Sequence, residues 1–178
     1  MTIHPSDPFA TPEHLRSPLR RLRGRLPSVV TLWTAEHPDT ARPAGLTVSS
    51  TLVVDGEPGR LLGLLDEESD LWPTLEASGR FAVTPLAGTD QQLADRFAGL
   101  MPAPGGPFRG YEWSATSHGP VPMGRGTWVG CRLDAARAMG WGLLIEATIE
   151  RIELHPDDLA PPLLHYRGHY RDLAAGPR

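Results

Sequence analysis

The chain contains no lysine and no asparagine, and it contains a single cysteine, Cys131. All 17 basic residues are therefore arginines, so no lysine is present to form a Schiff base with a substrate. A single cysteine makes no intramolecular disulfide, which favours a cytoplasmic protein with Cys131 as a buried strand residue. The formal net charge of −4 gives no general reason to bind nucleic acid or an anionic membrane.

Long apolar runs and the usual site motifs are also missing. No run approaches the roughly 18 apolar residues of a membrane span, and residues 1–12 have no apolar stretch of the signal-peptide type. The sequence has no glycine-rich phosphate loop, no His-Glu-x-x-His, no Cys-x-x-Cys and no Gly-x-Ser-x-Gly. His165 and His169 are four residues apart, but we predict that their segment is extended. We therefore expect no metal site.

Glycine and proline, by contrast, are plentiful, at 19 residues each. This frequency favours many short elements joined by turns over a helical bundle. Runs of β-branched, aromatic and leucine residues predict strands, and residues 60–65 are apolar enough for a central strand. The predicted strands are residues 28–34, 45–54, 60–65, 80–86, 127–133 and 143–154, with a last short element over 163–170.

Three short helices are predicted beside these strands. Thr11 followed by Pro12 is typical of a helix start, and leucines at steps of three to four continue that helix to Leu26. The other two helices are predicted over residues 70–78 and 90–98. We expect a mainly β fold with short α additions. Its single domain spans residues 13–172, between flexible segments at residues 1–12 and 173–178.

A hydroxyl-rich segment follows a predicted turn at Gly45. Residues 47–51 read Thr-Val-Ser-Ser-Thr, which places four hydroxyls in five residues. One interpretation is a polar edge strand. The other is a surface of amides and hydroxyls that hydrogen-bonds a planar, amide-rich ring such as an isoalloxazine.

The first predicted helix is strongly basic. Its arginines could steer an anionic ligand towards the protein. The simpler interpretation is a solvated helix face with arginine favoured near the helix C-terminus. The arginines concerned are Arg16, Arg20, Arg21, Arg23 and Arg25.

Five segments in order resemble one known family. They are Gly45 to Ser50, Asp66 to Ser69, Ser78 to Val83, Arg96 to Gly99, and Leu163 to Tyr170. Over roughly residues 15–171 the chain is similar to the flavin-reductase-like, FMN-binding split-barrel family. The resemblance implies a six-stranded, Greek-key-like split β-barrel that forms a homodimer, with FMN or FAD in a groove shared by the subunits.

The resemblance also implies an activity. Members reduce flavin with NAD(P)H, often to supply a partner monooxygenase, and need no side chain as acid or base. The residues that it assigns to the cofactor are Thr47, Val48, Ser49 and Ser50 at the ring, Asp66 and Ser69 near the ribityl chain and phosphate, and Tyr166, Arg167 and Tyr170 along the groove. Arg96 is a further candidate for the cofactor site, since its charge could offset the acidic loop.

Three positions depart from the family pattern. Residues 66–70 carry four carboxylates in five residues, which would repel a phosphate. Trp141 and Gly142 lie where reductases carry Asp-His, and Thr84 replaces an asparagine. Three hypotheses therefore remain open. They are an NAD(P)H-dependent flavin reductase, a flavin or deazaflavin oxidoreductase with another reductant, and a ligand-binding dimer without activity.

Overall fold

The computed structural model describes residues 17–155 and 160–173. The predicted flexible segment of residues 1–12 and the helix start at Thr11 lie outside the described residues, as does the tail beyond residue 173. The described part is mainly β, as predicted, with few and short helices. The helices are α1 (Pro18–Gly24), α2 (Leu71–Ser78) and α3 (Gln91–Phe97), the last preceded by a 3-10 turn over Gly88–Asp90.

The strands form three antiparallel sheets. The large sheet has seven strands in the order β3-β2-β6-β9-β10-β5-β4, and the smaller sheets are β1-β11-β12 and β7-β8. The strands are β1 (Ser28–Val29), β2 (Thr31–Glu36), β3 (Pro43–Val48), β4 (Leu52–Val54), β5 (Arg60–Leu65), β6 (Arg80–Pro85), β7 (Trp113–Ser114), β8 (Val121–Pro122), β9 (Trp128–Met139), β10 (Gly142–Glu153), β11 (Leu163–Tyr166) and β12 (His169–Asp172).

The large sheet curls around Trp33. Three strands separate β2 from β5 in the sheet order, yet a Cβ atom added at Gly63 of β5 would lie only 2.5 Å from Cη2 of Trp33 in β2. Trp33 is fully buried and stacks on Phe81, with 4.8 Å between the ring centroids. The inner face of the curled sheet and one side of α2 form the main apolar core around these two rings.

A second core lies between α3, the start of β2 and the three-stranded sheet. Its members are buried apolar side chains against which Phe108, Trp113 and Tyr170 pack from the outside. Phe97 of α3 contacts Phe108 edge-on, with 4.8 Å between the ring centroids. The buried residues of this core are Val30, Leu32, Leu86, Leu93, Ala94, Phe97 and Leu163.

Most predicted elements are present, and four expectations need correction. The extended piece over residues 45–54 is two strands, because the chain leaves the sheet edge after Val48. Gly45 lies inside β3 and not in a turn. A Cβ there would be 2.7 Å from the ring of Phe97, so glycine lets α3 pack on the strand. Strand β5 is next to an edge and not central, because its outer neighbour β4 ends the sheet.

The fourth correction concerns the first helix. In the described residues its cap is Ser17, whose side chain accepts a hydrogen bond from the Arg20 amide, with Pro18 at the first helical position. The helix that contains Leu19 and Leu22 therefore begins at Pro18, with the same cap-then-proline pattern as the predicted start at Thr11, which lies outside the described residues.

We predict that Gly63→Ala lowers the free energy of unfolding by about 1–3 kcal/mol, since the added methyl overpacks against the immobile ring of Trp33. Urea unfolding monitored by tryptophan fluorescence measures the change. Gly59→Ala is the matched control. Its added Cβ has no neighbour nearer than 3.7 Å, and we expect a change within about 0.5 kcal/mol. Equal losses in both variants would contradict the packing argument.

Candidate functional site

The loop Ser49–Thr51 joins the two edges of the large sheet. It leaves β3 at one edge and enters β4 at the other. Strands at sheet edges have backbone N–H and C=O groups without strand partners, and these groups are available to a planar polar ligand. We call residues 49–51 the edge loop.

Three of the four predicted hydroxyls already have protein partners. Thr47 Oγ1 donates to the carbonyl of Ala94 in α3 at 2.7 Å. Ser50 Oγ lies 3.1 Å from both the amide and the carbonyl of Leu64 in β5. Thr51 Oγ1 accepts from Trp33 Nε1 at 3.2 Å. These hydroxyls fix the end of β3 against α3, and the edge loop against β5 and the core.

Ser49 differs from its neighbours. Its side chain is half-buried, and its hydroxyl has no hydrogen-bond partner within the described part of the chain. Val48, by contrast, is buried in the main core, so only its backbone can face a ligand. Ser49 is therefore the hydroxyl of this segment that remains available for recognition.

The acidic loop of residues 66–70 follows β5. The Asp66 carbonyl accepts from Ser69 Oγ at 2.6 Å, and Asp66 Oδ1 accepts from the Glu68 amide at 3.0 Å. Asp66 and Ser69 are half-buried and close this turn before α2. Glu67, Glu68 and Asp70 are exposed, so three of the four carboxylates lie at the surface of the loop.

Strand pairing brings Trp141 to the acidic loop. Leu143 pairs with Leu65, and a Cβ at Gly142 would lie 2.4 Å from the Leu65 carbonyl oxygen. The β9–β10 turn that carries Trp141 therefore stands beside Asp66. The Trp141 side chain is 94% exposed, which is unusual for so large an apolar ring.

Arg96 joins α3 to the loop before β7. Its Nη1 donates to the Arg109 carbonyl, and its guanidinium lies 5.1 Å from the centroid of the Tyr111 ring. Arg96 Nε is buried and has no hydrogen-bond partner among the described residues. Buried N–H groups of charged side chains are rarely left unsatisfied, so this group has capacity for a further acceptor.

The three predicted groove residues do not share one surface. His165 pairs with Tyr170 and Tyr166 pairs with His169, so Tyr166 and Tyr170 lie on opposite faces of the β11–β12 hairpin. Tyr170 packs against the second core. Burial raises its pKa, and a hydrogen bond and the charge of Asp95 act in the same direction. Arg167 lies in the hairpin turn, with its guanidinium 5.6 Å from the Tyr166 ring centroid.

The structure thus places most of the predicted residues along one strip of the fold, which runs from the edge loop past α3 to Tyr170. Ser50 contacts β5 two residues before Asp66, and Thr47 contacts α3 two residues before Arg96. Tyr170 contacts the same helix through its hydrogen bond with Asp95. Tyr166 and Arg167 lie beyond Tyr170, away from this strip.

Sequence reasoning did not identify Asp95 or Thr31. Thr31 Oγ1 donates to the Val48 carbonyl at 2.8 Å and lies 2.9 Å from Thr51 Oγ1, so it holds both ends of the edge loop. Both contacts cross between distant segments, and no local pattern in the sequence signals them.

Other candidate chemistry is limited. Cys131 is fully buried, as predicted, and burial together with the nearby Glu150 charge raises its pKa to about 12. A thiol in this state is a poor nucleophile. Within the described residues there is no group of three or more metal-binding side chains. No helix in that same part of the chain has the length and apolar character to cross a membrane.

Comparison with known proteins agrees with this arrangement. Residues 23–174 match the family described as flavin reductase like domain. The chain belongs to this family. It is 29% identical over 157 residues to a flavin reductase of Pseudomonas putida, covering 88% of this chain and 89% of that protein. It is 30% identical to an FMN reductase (NADH) of Methylorubrum extorquens, covering 94% of each.

A solved structure extends the comparison to the fold. The nitrilotriacetate monooxygenase component B homologue from Mycobacterium thermoresistibile superposes with a TM-score of 0.78 at 27% identity. The match covers 88% of this chain and 85% of the other. The two proteins therefore share a sheet-rich fold along most of each chain.

We predict that Thr47→Val lowers the free energy of unfolding by about 1 kcal/mol, because it removes the hydrogen bond that anchors α3 to β3. Chemical denaturation of Thr47→Val and Ser49→Ala, side by side, tests this. Ser49→Ala removes a hydroxyl with no described partner and is expected to stay within about 0.5 kcal/mol of the original chain. A larger loss for Ser49→Ala than for Thr47→Val would contradict the assignment of these two hydroxyls.

Proposed function

We propose that the protein reduces FMN or FAD with NAD(P)H. The observation that carries the proposal is the edge loop, which exposes strand-edge backbone and the Ser49 hydroxyl in a member of the flavin reductase like family. The relatives from P. putida and M. extorquens bear the names flavin reductase and FMN reductase (NADH), which support the same activity here.

The residues present fit a flavin. The edge loop would hold the polar edge of the ring through backbone groups and Ser49, and the buried Nε of Arg96 has capacity for an anionic or carbonyl oxygen. A bound flavin supplies the redox chemistry. The protein's residues then need only position the two reactants and exclude water, and no titrating side chain is required.

The acidic loop is compatible with this proposal. Its repulsion of a phosphate depends on where the charges lie, and Glu67, Glu68 and Asp70 are exposed to solvent. Coulomb interactions between exposed charges are weakened by water and screened by salt. Ser69 and the turn backbone, not the carboxylates, are the groups of this loop that could face the ribityl chain.

The proposal is tested by titrating the purified protein with FMN and FAD separately and following fluorescence quenching. We expect saturable binding in the micromolar range or tighter, and steady NADH or NADPH oxidation when free flavin is added. Ser49→Ala should weaken flavin binding severalfold, because it removes the available hydroxyl but leaves the fold intact. Thr148→Val, which changes a hydroxyl bonded to Asp134, is the control and should bind flavin normally.

The outcomes separate the hypotheses left open by the sequence. Tight flavin or deazaflavin binding without NAD(P)H oxidation would point to another reductant. No saturable quenching up to roughly 100 μM, equivalent to an affinity of only about 5–6 kcal/mol, would overturn the proposed cofactor.

We further propose that six of the seven strands of the curled sheet form a Greek-key-like split barrel and that two copies form a homodimer. Strand β4 lies at the sheet edge, and Leu52, Val53 and Val54 are all exposed. A groove of about 360 Å³ continues this apolar surface to Ile149 and Ile152 of β10. An apolar edge strand of this kind is normally covered in the native assembly. A second copy covering β4 would stand beside the edge loop.

We predict that Val53→Asp converts a dimer into a monomer, since burying an unpaired carboxylate in the interface is costly. Light scattering coupled to size-exclusion chromatography measures the mass. Leu100→Asp places the same charge on another exposed apolar residue, outside this surface, and should leave the dimer intact. A monomeric original chain, or a dimeric Val53→Asp variant, would contradict the proposed interface.

Two related proposals follow from the same comparisons. The M. thermoresistibile relative is named as a monooxygenase component, and we propose that reduced flavin from this protein likewise serves a partner monooxygenase. The single, buried Cys131 is consistent with a reducing compartment, and we propose a cytoplasmic location.

A further inference from the structure

Two segments at opposite ends of the chain are rich in arginine and free of carboxylates. Residues 14–35 contain five arginines and no Asp or Glu, and residues 159–171 contain Arg167 and Arg171 and again no acid. The protein as a whole has a net charge of −4. Such separation of charge concentrates positive potential in two short stretches.

The fold brings these two segments together. The Arg167 amide donates to the Gly24 carbonyl at 2.9 Å, and β1 pairs with β11 so that Ser28 lies opposite His165. Burial lowers the pKa of His165, and the charges of Arg23 and His169 lower it further, so Arg23 lies near the hairpin.

Exposed arginines surround this junction. Arg20, Arg21 and Arg23 all lie within about one helical turn of the Gly24 carbonyl, which accepts from the Arg167 amide. Arg20, Arg21, Arg23 and Arg167 are all exposed. We call these four residues the basic patch.

Six arginines of the sheets and loops behave differently, since they form ion pairs with carboxylates. Within the part of the chain that the structure describes, no residue of the basic patch has such a pair. The six paired residues are Arg60, Arg80, Arg125, Arg132, Arg137 and Arg151.

The position of Arg167 is a second unusual feature. Its φ is 54°, followed by Gly168 at 83°, which is the left-handed pair of a tight hairpin turn. Glycine, asparagine or aspartate normally occupies the first of these positions, because a longer side chain is strained there. The helix dipole can account for Arg21 and Arg23 in the last turn of α1, but not for an arginine at this turn.

We propose that the basic patch binds the diphosphate of a dinucleotide. Guanidinium groups form paired, charge-assisted hydrogen bonds with phosphate oxygens, and a diphosphate offers enough oxygens for several arginines. The inner face of the same hairpin carries Tyr170, which bonds Asp95 of α3 beside Arg96. Arg23 lies near His165, whose ring centroid is 6.1 Å from that of Tyr170, so the patch lies next to the Tyr170 end of the candidate site and apart from the edge loop. This inference rests on the proposed function for its ligand class, and either NAD(P)H or FAD can supply the diphosphate.

The test compares the double variant Arg23→Gln/Arg167→Gln with the original chain. Sodium pyrophosphate is titrated by calorimetry, and KM for NADH is measured with FMN as acceptor. We expect pyrophosphate binding to weaken at least tenfold, KM for NADH to rise about tenfold, and kcat to change less than twofold. The control variant Arg42→Gln/Arg137→Gln removes two exposed positive charges outside the patch and should change each value less than twofold.

Separate titrations with FAD and FMN identify the source of the diphosphate. If FAD supplies it, the patch variant weakens FAD binding tenfold, FMN binding is unchanged, and KM for NADH stays constant. Equal weakening of FMN and FAD would overturn the assignment to a diphosphate. Equal effects of the patch and control variants would overturn the patch itself, as would normal pyrophosphate, NADH and FAD binding by the patch variant.

These results can be told apart from a failure of the proposed function. If the original chain neither binds flavin nor oxidises NADH, the proposed function fails. The pyrophosphate titration still reports on the basic patch in that case, because it requires neither cofactor.

Discussion

The indole ring of Trp33 packs at the centre of the main core and also fixes the position of the candidate site. Its ring fills the curled sheet, against Phe81 on one side and the backbone of Gly63 on the other. Its Nε1 donates to the hydroxyls of Thr31 and Thr51, the second of which belongs to the edge loop. A buried N–H needs an acceptor, so packing of this one ring also fixes the position of the loop. The geometry available to a ligand thus depends on the main core.

Charge is distributed in a way that separates structural from binding roles. On the outer face of the large sheet, Arg80 and Arg132 share Glu150 with the nearly buried His118. The opposite charges in these pairs balance one another. They lower the pKa of Glu150, mainly because its carboxylate forms hydrogen bonds with Arg80 and His118. Within the described residues, the arginines near α1 have no such ion pairs, and the acidic loop lies on a different part of the fold. A protein of modest net charge can in this way concentrate positive charge locally.

Local sequence patterns were sufficient for most of the elements. Strand β5 has the predicted bounds, and α2 ends at Gly79 with a left-handed φ of 64°, as its C-terminal glycine indicated. The structure of the segment Gly45 to Thr51 was harder to predict from the sequence. Its hydroxyls suggested one continuous strand and one continuous binding surface. In the structure, the chain crosses between sheet edges there, and three hydroxyls bond to distant segments.

By itself, the sequence determined the mainly β class, the short helices, the buried Cys131 and the resemblance to flavin reductases, because turn residues, apolar periodicity and ordered motifs are local properties. Tertiary structure alone decided which hydroxyl stays available, that Trp141 stands beside Asp66, and that Arg167 joins the arginines of α1. Each of these depends on pairing between residues far apart in the chain. Register across strands and helices is set by packing of the whole core, so no single segment encodes it.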